Sequence, residues 1–175
     1  MATPPVFVSG AILTAAQMNA AGMWLIKTQT IGSAVASVAV TDVFSADYEN
    51  YKIVVTGGVG STGQAIALKL GTSTTSYYQV FPYQAYNATQ TLLFVNNGAA
   101  FTYAGESNTS TNTVDVDVLG PFITKFTGFG GFYIGSVAGS VAGRHESATS
   151  HTGFTLSVAG TMTGGTIAVY GYRGV

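Results

Sequence analysis

The chain of 175 residues contains no cysteine, so disulfide bonds and thiolate metal sites are excluded. Charged residues are also scarce, because Lys, Arg, Asp and Glu make up only 7% of the sequence. An ordinary soluble domain has about 25%. The net charge is −1, so the sequence shows no basic surface of the kind that binds nucleic acid. At this length we expect one domain, with a core large enough to fold without cross-links.

The low charge also bears on the surface of the folded protein. A net charge near zero favours association and precipitation, so a free monomer with this surface would be poorly soluble. One interpretation is a surface covered by uncharged Ser, Thr and Asn side chains. The other is that neighbouring subunits cover much of the surface, because the cores of protein interfaces are depleted of charge. We favour the second interpretation and predict an oligomer.

Apolar runs of membrane-spanning length are lacking, and the N-terminus has neither the basic region nor the long apolar run of a secretion signal. The long uncharged segment 126–143 contains Gly131, Gly135, Gly139 and Gly143 at the GxxxG spacing of packed membrane helices. Further glycines and serines in this segment favour a strand–turn–strand structure instead. We therefore expect no membrane insertion.

Residues 1–30 predict an N-terminal docking arm with one short helix. The Pro-Pro pair near the start favours extended backbone. Thr14 and Gln17 fit a capping box at the start of a helix of about two turns, which would end near Gly22. A helix this short is marginal in water, so the arm must dock on another surface. The side chains expected to dock on a neighbouring subunit or a particle are Phe7, Leu13, Met18, Trp24 and Ile26.

Residues 31–175 predict an all-β domain, an antiparallel β-sandwich of jelly-roll type. Apolar residues alternate with small or polar ones along most of this part, which is the pattern of half-buried strands. The most regular example is Val114, Val116 and Val118, which alternate with two aspartates. The spacing of the turn signals predicts roughly eight to ten strands.

Three local patterns define particular strands of this domain. The C-terminal residues predict two strands joined in a hairpin by a turn at Gly164–Gly165. A second pair of strands is predicted around Gly135–Ser136. The aromatic segment Tyr77–Tyr86 predicts a strand in which Pro82 favours an edge position or a bulge, because proline has no N–H to donate.

Few residues suggest catalysis or metal binding. Asp115 and Asp117 share one strand face, about 7 Å apart, a separation that suits the paired carboxylates of glycoside hydrolases. His145, Glu146 and His151 include two imidazoles and one carboxylate, the minimum for a metal site. We favour simpler interpretations, namely two solvent-facing residues of an alternating strand and a polar loop. The sequence therefore predicts no catalytic residue, no metal ligand, no cofactor and no enzymatic activity.

The ten tyrosines leave three interpretations open. Tyr77, Tyr78 and Tyr83 are candidate glycan contacts, because aromatic rings can stack on sugars. Tyrosines on a surface with few charges also suit protein–protein contacts. Packing inside the domain is the third interpretation.

Two parts of the chain resemble virion proteins of tailed bacteriophages. Residues 7–19, FVSGAILTAAQMN, resemble a short N-terminal segment of such proteins, with Phe, then Gly, then Leu-Thr-Ala-Ala and an Asn. Residues 48–57, YENYKIVVTG, and residues 162–172, MTGGTIAVYGY, resemble the β-domains of minor tail and tail-fibre proteins. Together these stretches cover about a fifth of the chain, and the residues between them are similar in style only.

The resemblance implies a non-enzymatic structural component of the virion. It implies a homotrimeric β-sandwich that is attached to the particle, through its N-terminal segment, and it carries over no catalytic residue. A minor tail or tail-fibre position is favoured, and a capsid decoration protein is the alternative. Attachment to host-surface glycans through the tyrosines is a further alternative.

Overall fold

The computed structural model describes residues 8–10, 12 and 22–172. This part of the chain is all-β, with thirteen strands in antiparallel pairs and no helix. The strands are β1 Trp24–Thr30, β2 Val35–Val40, β3 Asn50–Thr56, β4 Val59–Gly60, β5 Gln64–Leu70, β6 Tyr77–Ala85, β7 Gln90–Gly98, β8 Phe101–Ser107, β9 Asn112–Leu119, β10 Thr127–Ile134, β11 Val137–His145, β12 Phe154–Thr163 and β13 Thr166–Tyr172.

Most of the predicted arm lies outside the described residues. This holds for the expected helix after Thr14 and for three of the expected docking side chains, Phe7, Leu13 and Met18. The continuous stretch of described residues begins at Gly22, two residues before β1.

The sheet branches at β9. The long branch has the strand order β1-β13-β3-β9-β10-β11-β6-β7. The short branch has the order β2-β12-β5-β8, with β4 also paired to β12. The two branches join where β8 pairs with the start of β9, from Ser107↔Asn112 to Gly105↔Val114.

The core lies where the inward side chains of the two branches meet. Val114, Val116 and Val118 of β9 are all buried, which confirms the alternation predicted for this strand. Phe101 of the short branch stacks on Phe129 of the long branch, with ring centroids 4.1 Å apart. Burial of each such side chain stabilises the fold by about 1.5–3 kcal/mol relative to exposure. This shared core therefore holds the two branches together.

The two C-terminal strands form as predicted, but the predicted hairpin between them is wrong. Strand β12 pairs with β2, β4 and β5, whereas β13 lies between β1 and β3. Gly164 and Gly165 have φ values of 68° and 90° and lead the chain from the short branch to the long one. This turn lies against Gly58, where an added Cβ would overlap the carbonyl oxygen of Gly164. Alternation shows which face of a strand is buried, but it does not show which strand lies beside it.

The other two local predictions have different outcomes. Strands β10 and β11 form the expected hairpin around Gly135–Ser136, which accounts for most of the glycine-rich segment 126–143. Strand β6 is not an edge strand, because it pairs with β11 on one side and with β7 on the other. Its Pro82 is paired with Leu92 of β7. Within the described residues, no helix is long and apolar enough to cross a membrane.

Strand β1 belongs to the domain and not to an arm. It pairs with β13 from Trp24↔Gly171 to Thr30↔Thr166, with one irregularity after Leu25. Trp24 and Ile26 are partly buried against the core of their own chain. The ring of Trp24 lies 6.1 Å from that of Tyr48. Trp24 and Ile26 therefore contribute to the domain itself, and their role as docking residues stays a prediction.

The register of β9 can be tested by shortening one buried side chain. Val116→Ala should lower the free energy of unfolding by about 1–3 kcal/mol, because it removes buried methyl groups and leaves a cavity. Val59→Ala is the matched control, since Val59 is 41% exposed and its loss should cost less than about 1 kcal/mol. Urea unfolding measures both. Equal losses would contradict the register described here.

Candidate functional site

The long branch of the sheet has one face on the core and one open face, which we call the outer face. Side chains alternate between the two faces along each strand. On β6, for example, Tyr77, Gln79 and Phe81 are buried, whereas Val80 is exposed on the outer face. The outer face carries most of the features that bear on function.

Five large apolar side chains are exposed on the part of the outer face formed by β10, β11, β6 and β7. Phe94 is 73% exposed, Leu92 62% and Phe132 60%. The largest apolar patch on a monomeric soluble protein is typically about 300–600 Å² and is often functional. We call this group the apolar face, and it consists of Val80, Leu92, Phe94, Phe132 and Ile134.

Cross-strand pairing places these side chains around a floor of small residues. Val80 is paired with Phe94 on one side and with Ala142 on the other. Ala142 is paired in turn with Gly130, and Ser140 with Phe132. The apolar side chains therefore stand on both sides of a shallow trough in the sheet.

A groove of about 480 Å³ lies at one end of this trough. Its walls include Tyr78, Val80, Phe94 and Arg144, and Ala142 forms part of its floor. Arg144 forms an ion pair with Glu146, and both side chains are at least 40% exposed. The groove thus combines two aromatic rings with one paired charge.

Strand β7 forms one edge of the long branch. Among the described strands it pairs with β6 alone. Its nine residues, QTLLFVNNG, include no charged residue and no proline. Charged residues and proline are two of the devices by which natural proteins protect an exposed edge from pairing with another chain, and β7 has neither. The edge therefore remains open to contact beside the apolar face.

The predicted carboxylate pair is bound by a lysine on the outer face. Lys52 of β3 forms an ion pair with Asp115 and lies 3.4 Å from an oxygen of Asp117. The hydroxyl of Tyr172 donates a hydrogen bond to the other oxygen of Asp117, at 3.0 Å. Burial acts to lower the pKa of Lys52, but the two carboxylates outweigh it and raise that pKa. Both carboxylates lie on the same cation, so the three groups form an ion cluster with one net negative charge.

The three residues weighed as a metal site, His145, Glu146 and His151, do not converge. His145 and His151 are both buried, with ring centroids 5.2 Å apart. Glu146 instead pairs with Arg144 at the surface. In the described part of the chain, no group of three or more His, Asp or Glu side chains is placed to hold a metal ion. The two histidines therefore form a buried pair beside the ring of Tyr77.

Glu106 of β8 is a buried carboxylate that the sequence analysis did not identify. It accepts hydrogen bonds from the backbone N–H and the hydroxyl of Ser136, from Asn108 and from the hydroxyl of Tyr133. Burial acts to raise the pKa of Glu106, but these hydrogen bonds outweigh it and hold the pKa below its usual value. The carboxylate thereby fixes the β10–β11 turn to β8. A single Glu between Gly and Ser gave no signal of this role.

The structure separates the three candidate glycan tyrosines. Tyr77 is fully buried, its hydroxyl accepts a hydrogen bond from the N–H of Leu70, and burial raises its pKa to about 12. It is thus not available to a sugar. Tyr83 is half-buried and stacks on Phe81, with centroids 4.9 Å apart. Only Tyr78 of the three lies on the outer face, in the wall of the groove.

Comparison of the chain with protein families, curated proteins and solved structures found no match. The function is therefore inferred from the geometry of the chain itself. Its most distinctive features are the apolar face and the open edge of β7, on a domain with few charges.

The buried histidine pair predicts an acid-sensitive fold. Burial lowers the pKa of His145. Burial and the charge of the neighbouring His145 together lower the pKa of His151. Below about pH 6.5 the unfolded chain then binds protons that the folded chain does not. The free energy of unfolding should therefore decrease as the pH is lowered. The slope should reach at most about 1.4 kcal/mol per pH unit for each histidine. Urea midpoints measured between pH 8 and pH 5 test this.

The matched control is the double variant His145→Gln/His151→Gln, compared with the natural protein over the same pH range. The free energy of unfolding of the variant should be lower than that of the natural protein at every pH. It should no longer decrease as the pH is lowered below 6.5. Glu106 does not titrate in this window, because its pKa is held below the usual carboxyl value. An unchanged slope in the double variant would show that other groups cause the acid sensitivity.

Proposed function

We propose that the chain is a non-enzymatic structural protein of a tailed-bacteriophage virion. The observation that carries the proposal is the apolar face, because it belongs to a domain in which only 7% of residues are charged. An apolar patch of this size is often functional, and a low-charge surface favours association. The resemblance of residues 7–19 and 48–57 to phage virion proteins supports the same function.

The domain fits a β-sandwich of jelly-roll type, which suits a repeated module of a particle. The two branches of the sheet place their apolar sides against each other, as Phe101 and Phe129 illustrate. Chain reversals such as Gly164–Gly165 connect one branch to the other instead of closing a hairpin. Both features are typical of sandwiches with crossing connections.

The N-terminal segment supplies the attachment in this proposal. Val8, Ile12 and Met23 are exposed, Ile12 to 92%. The core of the domain is built from residues 24 onward and does not use them. Ordering such a segment costs roughly 1–2 kcal/mol per residue, so burial against another protein must offset the cost. Phe7, Leu13 and Met18 remain the proposed docking side chains.

A homotrimer in a minor tail or tail-fibre position is the arrangement that we favour. A capsid decoration protein is the alternative position, since it too needs a docking segment and an exposed β-domain. The two positions make the same demands on the described residues, so the location of the chain on the particle decides between them.

Glycan binding is a second candidate function, and the groove beside Tyr78 favours it. Tyr78 and Phe94 offer aromatic rings, while Arg144 and Asn96 offer hydrogen-bond donors within the same groove. Sugar sites combine such apolar and polar groups. A host-surface polysaccharide would be the ligand, and the virion role would then include attachment to the host.

The virion role can be tested by locating the chain and removing its N-terminal segment. Antibody labelling of purified particles should place the natural chain at the tail. A variant lacking residues 2–21 should keep its thermal transition, because β1 and the core remain, but it should no longer join the particle. Labelling on the head would select the decoration alternative.

A chain that particles do not contain at all would contradict the virion role. A shortened variant that folds and joins the particle normally would keep the virion role, but it would place the attachment on the β-domain instead of the N-terminal segment. Thermal unfolding of the shortened variant is the control, because a loss of folding would place the segment within the core.

The glycan candidate is tested by binding to an array of bacterial surface polysaccharides. Tyr78→Ala should weaken binding at least tenfold if the groove holds the sugar. Tyr86→Ala is the matched control, because Tyr86 is exposed but does not line the groove. Equal binding by both variants and the natural protein would exclude this groove as the site.

A further inference from the structure

We propose that the apolar face is the surface through which copies of this chain contact one another, with the open edge of β7 at its border. The inference deepens the proposed assembly role and rests on it only for the statement that copies associate. The occupant is a second copy of the same chain.

The shape of the apolar face suits a copy of itself. Phe132 stands on one side of the trough, and Val80 with Phe94 stands on the other. The floor between them consists of Gly130, Ala142 and other small residues, and an added Cβ at Gly130 would meet only one atom, at 3.6 Å. A protruding aromatic ring from a second copy can therefore enter the trough.

The charges around the apolar face permit contact between identical surfaces. A like-charge contact would oppose self-association, because each charge would meet its own copy. The nearest charged groups lie in ion pairs within the chain, Asp115 and Asp117 with Lys52, and Arg144 with Glu146. Together they carry one net negative charge, because Lys52 balances only one of the two carboxylates. Strand β7 contributes no charge at all, so two copies can meet there without like charges.

The size of the face matches the apolar centre of a subunit interface. Strands lie about 4.8 Å apart and same-face residues about 6.7 Å apart, so the block from Phe132 to Phe94 and from Ile134 to Val80 covers roughly 300–400 Å² with its side chains. A stable interface buries about 800 Å² per partner, with an apolar centre and a polar rim. Uncharged polar residues such as Gln84 and Gln90 border the block and suit the rim.

The edge of β7 adds a second reason for a protein occupant. Its outward backbone groups have no strand beside them in the described chain, so they can pair with another backbone. A sugar could fill the groove at Tyr78, but it would leave Leu92 and Ile134 exposed. A second copy covers both the apolar side chains and the edge.

The first experiment uses the lack of cysteine to place a single thiol on the apolar face. Ser140→Cys lies on the floor of the trough, and Thr28→Cys lies on β1, at the other edge of the long branch. Both positions are exposed, so both variants should fold. A short bis-maleimide reagent should link Ser140→Cys into covalent dimers and should leave Thr28→Cys mostly single.

The second experiment measures mass by light scattering. Leu92→Ser should lower the mass of the assembled protein at least twofold, because contact between identical surfaces pairs two copies and the variant loses that contact. Leu25→Ser is the matched control, because Leu25 is also exposed on the outer face but lies on β1. It should leave the mass unchanged.

Three outcomes would overturn the inference: a natural protein that stays a single chain at high micromolar concentration, an assembled protein in which only Thr28→Cys is linked, or a Leu92→Ser variant that keeps its mass. Particle labelling separates this inference from the virion role. Cross-linking through Ser140→Cys without any label on particles would remove the virion role and keep the interface. Labelled particles without that cross-link would do the reverse.

Discussion

The burial of alternate side chains along β9 is the constraint on which the rest of the structure depends. This strand pairs with β3, β10 and β8, so both branches of the sheet meet at it. Its three inward valines are buried between the branches. A shift of one residue would place the aspartates in the core, where an unpaired carboxylate is costly. The register of the neighbouring strands follows from this one.

Once the inner face is set, the outer face is set as well. Each residue that alternates away from the core must point outward, and on β10, β6 and β7 five of those residues are large and apolar. On β10, Phe129 is buried and Phe132 is therefore exposed. On β7, Val95 is partly buried and Phe94 is therefore exposed. Such exposed apolar side chains are unfavourable in a free monomer, whereas a subunit of an assembly can bury them against a neighbour.

At least six of the thirteen charged residues are held by other side chains of the same chain. Lys52 binds both aspartates of β9, Arg144 binds Glu146, and Glu106 is buried in a set of hydrogen bonds. These contacts fix local geometry and leave one net negative charge on the outer face near β9. The same low charge that limits solubility therefore also permits close contact between identical surfaces.

The sequence alone determined the all-β class, the buried face of β9 and the β10–β11 hairpin, because alternation and turn residues act over short distances. It did not determine which strands are neighbours, so the two C-terminal strands were wrongly paired and β1 was assigned to an arm. The apolar face and the Glu106 site were also not predictable, since their residues come together only through pairings far apart in sequence. Tyr77 shows the same limit: its strand was predicted, but only tertiary packing decided that its ring is buried and Tyr78 is not.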